Sequence, residues 1–367
     1  MRAIILGLGV ILAAVTATPV AKAQSSDVPQ VENARMEKKA LAGPLAAEMK
    51  AWATKAQQPQ WLGYAVPQIG RERTMCCGDY DGSWRNECGH CRLEDRGDGT
   101  SMTTKEDAGT AKLEAPRSIA VLFRADNKRV TKIRVVSLEC SLDAGGLPFV
   151  WLSGVKPAES VELLETFVQG TDLDAHDDDH LSHGALTAIA LHADPAADRA
   201  LESFTRAGEP ESLRKQTAFW LGAAREKAGL AVLQKMAKSD PSSEVRAQVT
   251  FALSVSHEQG AVEEMIRMAH DDQSTHVRGQ ALFWLAQKAG QKAVGAITGA
   301  IENDPDTDVK KKAVFALSQL PKDEGVPKLI EVAQTNHNRE VRKQAMFWLG
   351  QSHDPRALAF FEKILTQ

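Results

Sequence analysis

From Leu213 to the end of the chain the apolar positions return every 32 residues. Five segments superimpose without a gap, opening at Leu213, Val245, Val277, Val309 and Val341. A cation follows each opening residue. Six positions in stands Phe219, Phe251, Phe283, Phe315 or Phe347, and a Leu comes two residues later. Inside a segment the apolar residues keep helical spacing twice over, for instance from Val245 to Ser256 and again from Ala261 to Ala269. Turns rich in Asp and Pro close the units, as in Ser239-Asp240-Pro241 and Asn303-Asp304-Pro305, where Pro suits a helix start and Asp a cap. A fixed period of paired helices predicts an α-solenoid. Counting back by one period, residues 181–211 align more loosely: Ile189 takes the Leu position, while Ser182 and Thr187 replace the cation and the Phe. The array is therefore expected over 157–367, as a half repeat followed by six repeats.

Ahead of the array the pattern changes. Leu45, Met49 and Trp52 give one amphipathic helix within 44–56, and 61–66 reads as a strand. The β-branched runs Ser118 to Phe123 and Val130 to Leu138 meet at Asp126-Asn127-Lys128, a hairpin composition. Phe149 to Leu152 follows the turn signal Asp143-Ala144-Gly145-Gly146. Together these predict a small α+β domain over 40–155 built on an antiparallel sheet, in a chain that is mainly α overall. Residues 24–39 are polar and expected to be a disordered linker.

Composition adds a compartment. The start, Met1-Arg2, an apolar run from Ala3 to Val15 and Ala21-Lys22-Ala23, has the parts of a secretory signal peptide, with cleavage expected before Gln24. The run is too short to span a bilayer, so a periplasmic or secreted protein without membrane insertion is expected. Loss of Arg2 and Lys22 takes the formal charge from −4 to −6. Such a balance offers no basic surface for nucleic acid.

Val-Arg at the start of the first helix, Ala or Gly after its Leu, and Asp-Pro between units together resemble the short HEAT-like repeats first named from phycobilisome lyases. The resemblance implies a curved solenoid that binds other proteins. It also brings two associations that the residues oppose. A bilin-lyase role conflicts with the export signal, and the di-iron site of HEAT-repeat hydroxylases needs several His-Glu pairs, where this chain has only His257-Glu258.

Three columns of the repeat carry candidate roles. Asp240, Asp272, Asp304 and Asn336 stand six residues before Arg246, Arg278, Lys310 and Arg342, which predicts a ladder of charge-assisted bonds from unit to unit. Gln216, Gln248, Gln280 and Gln344, interrupted by Lys312, form a polar row. Beside each Phe the next residue alternates as Trp220, Ala252, Trp284, Ala316, Trp348. These rings either interdigitate in the core or form an exposed stripe that anchors a partner.

Cys76, Cys77, Cys88, His90, Cys91 and Cys140 form the other candidate site. Disulfides fit an exported loop without a core of its own. Structural zinc fits the Cys88–Cys91 spacing, and Cys-Gly-His-Cys matches the tetrapeptide of protein disulfide isomerases, whose chemistry needs a helix starting on the motif. The segment from Asp172 to His183 is dense in Asp and His but lacks the Gly and Glu of a calcium loop, so it is read as an acidic helix start. The leading expectation is a non-catalytic scaffold binding another protein, without cofactor. The alternative is a metal or thiol-redox site in the Cys76–Cys91 loop with the solenoid as a platform.

Overall fold

A computed structural model describes residues 28–70, 74–77, 90–94, 100–103, 118–174 and 180–366. The central element of the N-terminal part is a five-stranded sheet in the order β2-β10-β3-β7-β8. Its strands are β2 (Arg35–Ala40), β3 (Gln60–Pro67), β7 (Ser118–Asp126), β8 (Arg129–Ser137) and β10 (Pro148–Ser153). β3, β7 and β8 run antiparallel, with Leu62 opposite Phe123 and Val121 opposite Val135. The β7–β8 turn has positive φ at both Asn127 and Lys128, the backbone twist that favours a two-residue hairpin.

The sheet is nevertheless mixed, because β10 pairs in parallel with both β3 and β2. The expected disordered linker also contains structure in its described part: β1 (Val31–Glu32) and β2. β2 reads Arg-Met-Glu-Lys-Lys-Ala and is almost wholly exposed. A charged edge strand protects the sheet from further pairing, and so carries no apolar alternation.

Both faces of the sheet are covered. Leu62, Tyr64, Val66, Val121, Phe123 and Val135 point to one side, where they meet α1 (Leu45–Lys55), α2 (Pro157–Glu165) and α3 (His180–Leu191). Trp61, Leu122, Val136, Phe149 and Trp151 point to the other. There a small parallel sheet covers them, made of β1, β9 (Ser141–Asp143) and β5 (His90–Arg92).

After α2 come six helical hairpins. They are α3 with α4 (Pro195–Phe204), α5 (Glu211–Ala224) with α6 (Glu226–Ser239), α7 (Ser243–Val255) with α8 (Gly260–Asp271), α9 (Thr275–Ala289) with α10 (Gln291–Asn303), α11 (Thr307–Ser318) with α12 (Lys322–Thr335), and α13 (Arg339–Gln351) with α14 (Pro355–Leu365). Each first helix packs on the next first helix, forming one layer of the array. Asp194 and Asp354 cap α4 and α14 with Pro at the first turn. Asp240 and Asp304 do not cap: Ser242 and Asp306 take that place at α7 and α11.

Sheet and array share a single core running from Leu45 to Phe360. A Cβ on Gly184 would stand 2.2 Å from the Ile133 carbonyl, so α3 lies directly on the β8 backbone. Backbone bonds from Ile69 to Leu191 (2.9 Å) and from Ala193 to Pro67 (2.9 Å) clip the end of β3 to the end of α3. Beneath that clip Tyr64, Ser160 and His192 form a buried relay, with Tyr64 Oη 2.7 Å and His192 Nε2 2.9 Å from Ser160 Oγ. His192 Nδ1 lies 2.6 Å from the Ala188 carbonyl. That oxygen can only accept, so Nδ1 carries the proton and Nε2 accepts from Ser160. Burial holds the imidazole neutral, pushing its pKa down to about 4, and pushes the Tyr64 phenol up.

Candidate binding face on the first helices

The charge ladder is present but strung differently from the sequence expectation. Arg214 donates Nε and Nη2 to the Asp240 carboxylate at 2.9 and 3.2 Å. Arg246 makes the same fork on Asp272 (2.8 and 3.0 Å), and Arg278 on Asp304 (2.7 and 3.1 Å). These partners lie 26 residues apart, not six. Across the six-residue step Nη1 of Arg246 and of Arg278 instead reaches the backbone carbonyl of Asp240 and of Asp272, each at 2.8 Å. Asp240 and Asp272 thus each tie their own first helix by the carboxylate and the next by the carbonyl. All six side chains are buried, and the Asp partners hold the Arg246 and Arg278 pKa values above the ordinary range. Lys310 departs from the pattern, donating to the Glu302 carbonyl at 2.8 Å. The residue 26 positions beyond it, Asn336, offers no charge, and Arg342 binds only backbone oxygens there. The ladder is structural and closes at Asp304.

The ring column lies on the opposite flank of the same helices. Trp220, Phe219, Phe251, Trp284, Phe283, Phe315, Trp348 and Phe347 touch in that order, with centroids 5.2, 6.0, 4.8, 4.9, 5.9, 4.9 and 5.0 Å apart. Phe219 with Phe251 and Phe283 with Phe315 lie nearly parallel, at 12° and 5°. Seven of the rings are half-buried, and Phe347 is 54% exposed. Trp284 and Trp348 lie against Phe251 and Phe315 of the preceding first helix, whose next residues, Ala252 and Ala316, are small and buried, and both indoles pack on the core. The two sequence readings therefore merge: Trp seals the seam between helices, and Phe continues it to the surface as one ridge. Gln216, Gln248, Gln280 and Gln344, also half-buried, stand one helical turn before Phe219, Phe251, Phe283 and Phe347, while the exposed Lys312 takes that place before Phe315.

The cysteine segment is only partly described. Cys91 and Cys140 are fully buried against Trp61, Leu122 and Phe149, and both are disulfide-bonded. Contrary to expectation, this part of the segment has a core. Cys91 lies within β5, so the helix that the redox reading requires does not start on the motif. Cys76 and Cys77 belong to β4 (Thr74–Cys77), the backbone alone being described there; Cys88 lies outside the described residues and His90 opens β5. Among the described residues no cluster of His, Cys, Asp and Glu could hold a metal ion. Of the acidic segment, residues 175–179 fall outside them. Asp172 accepts from Ser212 Oγ at 2.6 Å, which holds its carboxyl below the usual range, and Asp174 pairs with Lys215 at 3.4 Å.

The sequence pattern that defines HEAT repeats matches residues 197–286, 262–349 and 295–367. Residues 197–367 are a HEAT-like repeat array. No curated protein matches the chain. Among solved structures, similarity to this chain is found in human deoxyhypusine hydroxylase in complex with glycerol (15% identity, 56% of this chain and 90% of that one, TM-score 0.31). It is found also in YibA of Escherichia coli (21% identity, 59% and 82%, TM-score 0.34). The CpcE–CpcF complex of phycocyanin lyase from Nostoc is similar at 19% identity (57% and 81%, TM-score 0.30). These likenesses are too loose to bear on what the chain does. No helix among the described residues is long and apolar enough to cross a membrane.

Proposed function

We propose that the chain is an exported, non-catalytic scaffold whose HEAT array binds another protein along the ridge of Phe and Trp rings on its first helices. The carrying observation is that eight rings from five successive repeats form one unbroken line of contacts that reaches the surface. Aromatic side chains present large, stiff apolar area and are favoured interface anchors. The export part rests on the signal-like start before Gln24. It is supported by the disulfide bonding of Cys91 and Cys140, which suits an oxidising compartment.

The test is a photo-crosslinking amino acid placed at Phe283, compared with one at Lys328 on the second-helix layer, in the cell that produces the protein. A defined adduct from position 283 alone, lost when Phe251 and Phe315 are changed to Ser, is the expected result. Equal adducts from both positions would remove the ridge as the binding face. N-terminal sequencing of the exported protein is expected to start at Gln24.

A further inference from the structure

We infer that the outer face of α13 and α14 is a joint for one further helical hairpin, supplied by a partner protein, whose first helix is led by an Asp and matches Asp240–Ser256 of this chain. The array itself shows what covers such a face. Arg214, Gln216, Phe219, Trp220 and Gly222 of α5 return four periods later as Arg342, Gln344, Phe347, Trp348 and Gly350 of α13. On α5 this face is covered by α7. On α13 nothing among the described residues covers it.

The difference is visible at every position. Arg214 is buried in its fork on Asp240, whereas Arg342 gives Nη1 to the Asn336 and His337 carbonyls, and its Nε and Nη2 have no partner among the described residues. A Cβ on Gly222 would stand 2.1 Å from the Ala252 carbonyl, while one on Gly350 meets nothing within 4 Å. Phe219 is stacked on Phe251, and Phe347 is open. The second helices differ in the same way. Leu230 of α6 lies under the start of α8, 3.1 Å from a Cβ placed on Gly260, and Met236 and Ala237 are buried. Their counterparts on α14, Leu358, Ile364 and Leu365, are exposed. With Phe347 they are the exposed large apolar residues among those described. A terminal repeat that faces water carries a polar outer face, and this one does not.

The cover of α5 is one continuous segment, and it defines the chemistry of the occupant. Asp240 supplies the carboxylate, Phe251 the ring and Ala252 the small residue. The occupant therefore carries a carboxylate eleven residues ahead of an aromatic and twelve ahead of a small side chain. A guanidinium covered by an incoming apolar helix needs an anion, so charge selects a partner with an acidic turn. A second copy of this chain fits less well. Two α13 faces would bring a guanidinium to the joint from each side, while Glu340 and Asp354 are already held by Lys343 and Arg356. The joint does not depend on what lies along the ridge, although Phe347 and Trp348 belong to both.

The probe is a fluorescein-labelled peptide of residues 240–256, kept helical by a hydrocarbon staple between positions 243 and 247. In the array that column faces the following helix, as Gly279 faces Lys312, and so leaves the joint side free. The peptide is titrated into the full chain and followed by anisotropy. One-to-one binding is expected, at least about tenfold weaker for a peptide with Asp240→Asn and for a chain with Gly350→Leu. The leucine has open space in the free chain, so the thermal midpoint and the helical circular dichroism of that variant are expected not to fall. Equal binding of a scrambled peptide, or indifference to either change, would overturn the inference. So would a concentration-dependent dimer of the full chain abolished by Gly350→Leu, which would put a second copy in the joint. The adduct from position 283 reads the ridge alone, so the two interfaces fail separately.

Discussion

Asp272 holds two helices at once, gripping Arg246 by its carboxylate and Arg278 by its carbonyl. Asp272→Asn leaves the Arg246 guanidinium buried without an anion, and is expected to cost about 3–5 kcal/mol in urea unfolding. Lys343→Ala, which breaks an exposed pair with Glu340, is expected to leave the urea midpoint unchanged, because solvent screens the pair. The sequence displays the ladder but not its stringing. Positions six after and 26 before the same Asp fall in one column of a 32-residue register, so periodicity cannot choose between them. His192 was not legible: Ser160 stands one 32-residue period before it, but that column carries no constant residue type along the array, and Tyr64 comes from the sheet. The His192 pKa falls from the ordinary 6.5 to about 4 through burial. Stability from this group is full above pH 6.5 and is lost as pH falls toward 4, because the unfolded chain takes up the proton first. The loss amounts to about 3 kcal/mol. His192→Gln is expected to flatten urea midpoints across that window.

At the scale of elements, first helices approach one another through small residues. A Cβ on Gly222 of α5 would lie 2.1 Å from the Ala252 carbonyl of α7, so Gly222→Ala must push the two apart. A destabilisation of about 1–3 kcal/mol is expected, read as a lower thermal midpoint, against the slight gain that Ala ordinarily brings to a helix interior. The small residue after each Leu was visible in the repeat pattern. The ring column was visible too, but its direction was not: in α7 the Phe falls between the buried stripe of Val245, Val249 and Leu253 and the open face, and helical periodicity alone does not separate a seam from a surface. The cysteine segment was misjudged as coreless because its core is lent by the sheet, through Trp61, Leu122 and Phe149, from strands distant in sequence.

At the scale of the whole molecule, the change from strand to helix pattern near residue 155 suggested two bodies, and packing joins them. The face of the sheet bearing Tyr64 and Phe123 is covered by α2 and α3, and the buried side chains continue from there to α14. A single unfolding transition is expected, with calorimetric and van't Hoff enthalpies in agreement. A separate early transition of the sheet would contradict the shared core. The edge strand β2 escaped the sequence because a strand that guards an edge is written in charge.

The alternation of Trp and Ala beside each Phe gives the array a parity. Large and small residues alternate from one first helix to the next, so the pattern repeats in full only every two repeats, 64 residues. Deleting 245–276 would set Trp220 against Trp284 in a seam shaped for one indole. Deleting 245–308 would bring Trp220 beside Ala316 and restore the order of rings. Shortening or lengthening the array by duplication is therefore expected to be tolerated in even steps, each adding or removing one full period of the ring line.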